Sequence, residues 1–223
     1  MLLAVAATEF EMKPLLARCR DAGDLAYCLS GVGPLEAAVS VTRRLAAEHE
    51  RPRAIVNFGI AGGYRRRQPD GPAARLLDIC LAERELFGDF GVSFGTDIEP
   101  LDASSGAGCR DFVLDAALLR RARQILEAAS LSYRLGTFVT VAGASGTAAR
   151  GDSLQRRYQA LCENMEGAAI ARACREYSLP MVEVRVISNL VEDRPGAAWK
   201  IEEACERAAS VTALLLDGLR EVL

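Results

Sequence analysis

The sequence predicts an α/β protein, a three-layer α/β/α sandwich around a central mixed, mostly parallel twisted sheet. Three observations carry this reading. Short runs rich in Val, Ile and Leu alternate with stretches of helical periodicity along the whole chain. The chain has 223 residues and 50% hydrophobic content, enough apolar material for a large buried core. Nothing in it resembles a linker long enough to divide it, so residues 1–223 read as one domain.

The first strand is read over Leu2–Ala7 and leads into a helix over about Glu11–Arg20. A second strand over Leu25–Ser30 is followed by Gly31-Val32-Gly33 and then Pro34, which stands at a first helical position where its missing N–H costs nothing. That helix runs to about His49, and strands follow over Ala54–Phe58 and Leu76–Ala82. Asp111 precedes a periodic Phe, Val and Leu pattern and reads as the starting acid of a helix over Asp111–Ala129. Beyond it come a strand over Leu135–Val141, a polar helix near Asp152–Tyr158, an Ala-rich helix over Met165–Tyr177, a buried strand over Met181–Ile187 and a final helix over Ile201–Val222. The stretch from Phe87 to Cys109 is poor in pattern and rich in glycine, so it is expected to be a functional loop near the site or a subunit interface.

Composition narrows the class of partner. With 27 basic against 30 acidic residues the net charge is −3, which argues against a dedicated nucleic-acid surface and favours a small ligand, although Arg65-Arg66-Arg67 is a local basic knot. No stretch approaches transmembrane length, and the apolar run Met1 to Ala7 lacks the basic leader of a signal peptide, so a cytoplasmic protein without membrane contact is expected. The seven cysteines are scattered, odd in number and free of C-x-x-C spacing, as suits small core residues in a reducing compartment. The single histidine, His49, lies at a charged helix end and reads as a solvated residue. Histidine triads and histidine-rich metal sites have no material here, and neither a metal nor a cofactor is implied.

The polar residues that stand out lie at element ends, where ligands of open α/β sheets collect. Glu166 stands at the start of the Ala-rich helix, and Asn189 ends the strand Val182-Glu-Val-Arg-Val-Ile-Ser-Asn189. Taken singly, Glu166 is most simply an acid offsetting a helix dipole and Asn189 a turn residue. Glu9 and Glu11 likewise suit a first helical turn. The glycine clusters Gly31-Val-Gly33 and Asn57-Phe-Gly-Ile-Ala-Gly-Gly63 follow strands but complete neither a Walker A loop nor G-x-G-x-x-G, and spacing alone favours plain turns.

Taken together, Asn164-Met-Glu-Gly-Ala-Ala169, Leu179-Pro180 and Val184-Arg-Val-Ile-Ser-Asn189 resemble the nucleoside phosphorylase and nucleosidase superfamily, and the resemblance spans nearly the whole chain. Val191-Glu-Asp-Arg194, Trp199-Lys-Ile201 and Ala204 resemble more specifically its futalosine-hydrolysing branch, which removes hypoxanthine from futalosine on a route to menaquinone. The resemblance implies an N-ribosyl hydrolase acting on a purine nucleoside. A methylthioadenosine-type nucleosidase, a phosphorylase and a non-catalytic nucleoside sensor are the rivals.

The resemblance also implies roles. Glu11 matches the glutamate that activates the hydrolytic water. Phosphorylases carry instead a Gly-Asp-Pro-x-Arg type of stretch for phosphate, which this chain lacks. Glu166 would accept hydrogen bonds from the ribose hydroxyls, bonds that strengthen as the sugar becomes cationic, with Met165 packing on the sugar face. Gly59, Ile60, Ala61 and Gly62 would line the sugar and nucleophile side, Val141 to Ser145, including Ala144 and Ser145, would cover the base, and Arg194 and Trp199 would belong to a mobile segment. For Trp199 a packing anchor is an equal reading.

Asn189 stands where adenine-specific nucleosidases carry Asp. An amide can donate to a 6-oxo group while its carbonyl accepts from a protonated N7, so Asn189 points to a 6-oxopurine and removes a direct general acid at N7. The benzoate of futalosine calls for a cation, with Arg65, Arg66, Arg67, Arg194 and Lys200 as candidates. A homo-oligomer, a dimer or a multiple of one, is expected from the position of the segment Phe87 to Cys109.

Overall fold

The computed structural model describes residues 1–19, 23–47, 51–65, 74–94, 97–101, 109–193 and 199–221. In chain order the elements are β1 (Leu2–Ala6), α1 (Glu9–Arg18), β2 (Leu25–Leu29), α2 (Pro34–Ala47), β3 (Ala54–Gly63), β4 (Ile79–Phe87), β5 (Gly91–Phe94), β6 (Asp97–Pro100), β7 (Asp111–Val113), α3 (Ala116–Ala128), β8 (Tyr133–Thr140), α4 (Ala148–Tyr158), β9 (Cys162–Asn164), α5 (Gly167–Glu176), β10 (Met181–Leu190) and α6 (Ile201–Arg220). The helix starts have local causes. Thr8 and Glu11 form a reciprocal capping box at α1, the Asp115 carboxylate caps α3 at Leu118 N–H (2.7 Å), and Thr147 caps α4.

The α/β expectation holds, but the sheet is more than an open middle layer. β2, β1, β3 and β10 run parallel in that order, β10 pairs antiparallel with β4, and β4 continues in parallel to β8 and β9. β9 then returns antiparallel to the end of β3, so β3, β10, β4, β8 and β9 close into a ring. β3 can serve three neighbours because it is ten residues long: Ala54 to Asn57 meet β1, whereas Gly62 and Gly63 meet β9. Glycine at Gly59, Gly62 and Gly63 lets that end bend and lets other chains approach closely.

Alternation along the strands divides the interior in two. Val182, Val184 and Val186 of β10 and Ala54, Val56 and Phe58 of β3 pack with α1, α3 and α6. The opposite face packs with α2 and α5 through residues such as Leu3, Ile55, Val41 and Ile170. On that second face β10 carries Glu183 and Arg185, two residues apart, and β3 carries Asn57, which is in register with Glu183. All three are buried, so this face holds a polar row within an apolar sheet.

Several local expectations change. Asp111 starts no helix: it lies in β7, pairs with β4 and forms an ion pair with Arg84, and the helix begins after Asp115. The strand expected over Leu76–Ala82 begins at Ile79 and continues through Glu83-Arg84-Glu85, since Glu85 is buried among polar partners rather than solvated. The segment from Phe87 to Cys109 contains a two-stranded hairpin, with Gly91 opposite Pro100, and Asp89 next to the site. Residues 95–96 and 102–108 of that segment, Arg66, Arg67, Arg194 and His49 lie outside the described residues. No helix among the described residues is long and apolar enough to cross a membrane.

Candidate active site

A cavity of about 350 Å³ opens where the C-terminal ends of β1, β3 and β10 meet the start of α5. It is lined by Glu11, Ile60, Ala61, Gly62, Ala144, Met165, Glu166, Asn189 and Trp199, nine of the residues singled out in the sequence. Gly59 and Ser145 stand behind the wall and support it, and Arg194 is outside the described residues. Phe10 and Val32 complete an apolar rim, with Phe10 70% exposed and Trp199 42% exposed.

At one end two glutamates from distant parts of the chain converge on a third residue. Glu11 is 4% exposed and held from both sides: Thr8 N–H and Oγ donate to its Oε2 (3.0 and 2.9 Å), and Ile60 N–H donates to its Oε1 (3.1 Å). The reading as a first-turn acid holds, and the same cap fixes the carboxylate against β3 at the cavity wall. Glu166 is 5% exposed; its Oε1 accepts from Gly33 N–H (3.1 Å) and its Oε2 lies 3.5 Å from Arg185 Nη1. Gly33 thus does more than turn the chain. The left-handed backbone at Gly31 (φ 78°) and Gly33 (φ 93°) aims its amide at the carboxylate. Burial raises the Glu166 carboxyl above the usual glutamate range, against the opposing pull of Arg185 and the Gly33 amide.

Arg185 is the residue that sequence reasoning missed and that organises this end. It is almost fully buried, donates from Nε to Glu183 Oε1 (2.9 Å) and from Nη1 to the Ile60 carbonyl (3.4 Å), and lines the cavity. A Cβ on Gly59 would lie 2.3 Å from Glu11 Oε1 and 2.9 Å from Arg185 Nη1, so only glycine leaves room for that pair. The signal was present: Glu and Arg two apart in a β-branched strand share one face, and two buried charges on one face call for pairing.

Behind Arg185 lies a second acidic layer. Glu183 and Glu85 are both fully buried, and a Cβ on Gly167 would fall 2.7 Å from Glu183 Oε1 and within bonding reach of Glu85. Thr140 Oγ1 (2.9 Å), Asn164 Nδ2 and Leu86 N–H (3.0 Å) donate to Glu85. Burial raises Glu85 well above the usual carboxylate range, with Glu183 adding to the effect, and burial raises Glu183 as well. Asn164 Oδ1 also accepts from Glu166 N–H (2.9 Å) and Gly167 N–H (2.7 Å) at the start of α5, so one amide joins the acidic layer to the backbone that carries Glu166.

At the other end a bulge in β10 between Ile187 and Asn189 shifts the register, and Asn189 comes opposite Gly62. Ser188 Oγ donates to Asn189 Oδ1 (2.9 Å), while Asn189 Nδ2 donates to the Leu190 carbonyl (3.3 Å). Asp89 accepts from Ala142 N–H (2.9 Å) and pairs with Arg150 (2.9 Å), and Arg150 also donates to the Gly143 carbonyl (3.0 Å). These contacts hold the loop after β8 over the pocket. Of the expected benzoate cations, Arg65 pairs with Glu192 (2.9 Å) and Lys200 lies 3.6 Å from Glu203, and neither lines the cavity.

The model of the phosphorylase superfamily matches residues 10–221. A futalosine hydrolase of Streptomyces coelicolor is 35% identical over 193 residues, covering 85% of this chain and 76% of the relative. The chain belongs to the phosphorylase superfamily and, within it, to the futalosine hydrolase family. A second member of that family, from Thermus thermophilus, is 33% identical and is covered over 80% of its length. A 5'-methylthioadenosine/S-adenosylhomocysteine nucleosidase of Staphylococcus epidermidis is 23% identical. Among solved structures, the nucleosidase of Neisseria meningitidis in complex with methylthio-immucillin-A superposes with a TM-score of 0.78 at 16% identity, covering 100% of this chain and 99% of that one. The native futalosine hydrolase of Helicobacter pylori gives 0.77 at 15% identity, with 97% of each chain covered.

Proposed function

We propose that this futalosine hydrolase family member cleaves the N-ribosidic bond of futalosine with water, releasing hypoxanthine and dehypoxanthine futalosine in menaquinone synthesis, as a cytoplasmic homo-oligomer. The observation that carries the mechanism is the convergence of Glu11, Glu166 and Arg185 at one end of a cavity whose other end is Asn189. As C1'–N9 breaks, positive charge develops on the sugar, and Glu166 accepts from the ribose hydroxyls with strengthening bonds. Arg185, behind it, supports the ionised carboxylate that burial alone disfavours. Glu11 takes a proton from the attacking water, its carboxylate already oriented by Thr8 and Ile60. The C1'–N9 bond pair is left on the purine, which takes up a proton at N7 from solvent, while the Asn189 amide donates to O6 and its carbonyl accepts from N7–H. Met165 packs against the sugar.

A methylthioadenosine-type nucleosidase is the alternative suited to the same Glu11 and Glu166, but an amide at 189 fits a 6-oxo group better than a 6-amino group. The two tightly held glutamates also exceed what a binding-only sensor needs. Product chromatography on futalosine, methylthioadenosine and inosine, each with and without phosphate, tests the reading. Hypoxanthine and a free sugar product from futalosine, independent of phosphate, are expected. A ribose 1-phosphate product would move the chain to the phosphorylases, and release of adenine alone would move it to the methylthioadenosine-type nucleosidases.

A further inference from the structure

Glu163 lines the cavity, is almost fully buried, and takes no part in the mechanism above. It stands in β9 directly opposite Gly62 of β3, and Gly62 stands opposite Asn189 of β10. The three residues are therefore neighbours across three strands, with side chains on one face. Because the middle residue is glycine, no side chain of its own separates the outer two: the position a Cβ would take is bordered by Val191 Cγ2 (3.2 Å), Glu163 Cγ (3.4 Å) and Asn189 Nδ2 (3.5 Å). A flat ring edge laid over Gly62 would meet the Asn189 amide on one side and the Glu163 carboxylate on the other.

The carboxylate is held in place more firmly than solvation would require. Ser145 N–H donates to its Oε1 (2.7 Å), while Ser145 Oγ (2.7 Å) and Tyr64 OH (3.0 Å) donate to its Oε2. Ser145 Oγ in turn accepts from Arg150 Nε (3.2 Å), whose guanidinium pairs with Asp89. Burial, and then the Glu163 carboxylate beside it, raise the Tyr64 phenol well above its usual range, which keeps that hydroxyl a donor. Two oxygens offer about four acceptor positions in all. Three are used, and one on Oε1 remains.

The order of atoms around a purine then matters. With Asn189 at O6 and N7, the next ring position away from the sugar is N1. In a 6-oxopurine N1 carries a hydrogen, whereas in a 6-aminopurine N1 is a bare acceptor. An ionised carboxylate can only accept. We propose that Glu163 reads N1 of the base, accepting N1–H from hypoxanthine and repelling the lone pair of adenine, so that substrate class is set by the Glu163 and Asn189 pair rather than by Asn189 alone. This rests on the proposed hydrolysis of a purine nucleoside.

The test compares kcat/KM for futalosine and for its 6-amino analogue in wild type and in Glu163→Gln. A glutamine can turn its amide NH2 toward a bare N1 while its oxygen keeps the Ser145 Oγ and Tyr64 contacts; the Ser145 N–H bond is lost for both substrates alike, so it cancels in the ratio. The expected result is a loss of about 10²-fold on futalosine with little loss, or a gain, on the 6-amino analogue, so that the ratio falls at least about tenfold. If Glu163 merely held the loop through Ser145, both substrates would suffer equally, and an unchanged ratio overturns the inference. Should Glu163→Gln fail to fold, product inhibition of wild type decides: 1-methylhypoxanthine, which lacks the N1 hydrogen, is expected to inhibit at least about 30-fold more weakly than hypoxanthine, and equal inhibition overturns the proposal. Wild type that cleaves neither substrate rejects the proposed function itself, whereas cleavage of futalosine with an unchanged ratio rejects only the role of Glu163.

Discussion

Glu11 and Glu166 are held at one end of the pocket by different means. Glu11 is oriented by a helix cap and a strand amide; Glu166 is oriented by a glycine amide and a buried guanidinium. Replacing either by glutamine keeps the shape and removes the charge. Glu11→Gln and Glu166→Gln are each expected to lose about 10²–10³ in kcat with an unchanged circular dichroism spectrum. Near-normal turnover of Glu11→Gln would mean that water is activated elsewhere, with Glu9 the first residue to examine. Asn189→Asp places a second acceptor against O6. It should lower futalosine cleavage by about 1–3 kcal/mol relative to the 6-amino analogue, and less so at acid pH, where the new carboxyl can take up a proton. An unchanged ratio of the two kcat/KM values would remove Asn189 from substrate selection.

Among the elements, β3 and β10 carry most of the site. Their parallel pairing over residues 55–63 and 181–190 brings Gly59 level with Arg185 and Gly62 level with Asn189. Gly59→Ala tests the close approach: the new methyl would overlap Glu11 Oε1 and crowd Arg185 Nη1. Overpacking of this kind costs about 1–3 kcal/mol in stability, and the displaced carboxylate should lower kcat at least tenfold. Comparison of urea midpoints with single-turnover rates separates the two effects. An alanine variant with full activity would show that Glu11 does not need its present position.

At the scale of the molecule, the buried acidic layer links folding to pH. Burial raises Glu85 and Glu183, so the folded protein binds a proton there more tightly than the unfolded chain does. Stability from this source is present below the ordinary glutamate range and is lost as pH rises through the raised folded value. Glu85→Gln should therefore flatten the fall of the urea midpoint as pH rises above the ordinary glutamate range, and an unaltered slope would locate the proton elsewhere. Assembly is the other property of this scale. Phe10 and Val32 at the cavity rim, Leu35 and Val39 on α2, and Phe90, Val92 and Phe94 at the hairpin are exposed, as apolar surface awaiting a second copy would be. Light scattering at micromolar concentration is expected to give a dimer or a multiple of one, and a fully active monomer would contradict this.

Many of the positions that line the cavity were marked in the sequence by local rules, while the roles given to them came from the family resemblance. Glu11 in a first helical turn, Glu166 before an Ala-rich helix and Asn189 at a strand end are all marked by element boundaries, and strand and helix periods identified the α/β class. The three-residue strand β9 was not legible, since Cys162–Asn164 is too short to show a period. With it went Glu163 and Asn164, whose importance comes from partners 18 and 79 residues away, Ser145 and Glu85. The helix start at Asp115 was misplaced to Asp111 because both acids precede apolar residues, and only pairing with β4 distinguishes them. Ring closure was likewise undecided: the sequence by itself determined the long apolar strands and the amphipathic helices, but pairing across the ring depends on contacts between distant segments. Tertiary structure alone decided that Arg185 would also reach Glu166 and that a glycine would stand between Glu163 and Asn189, because burial turns charge and close approach into constraints that no local window contains.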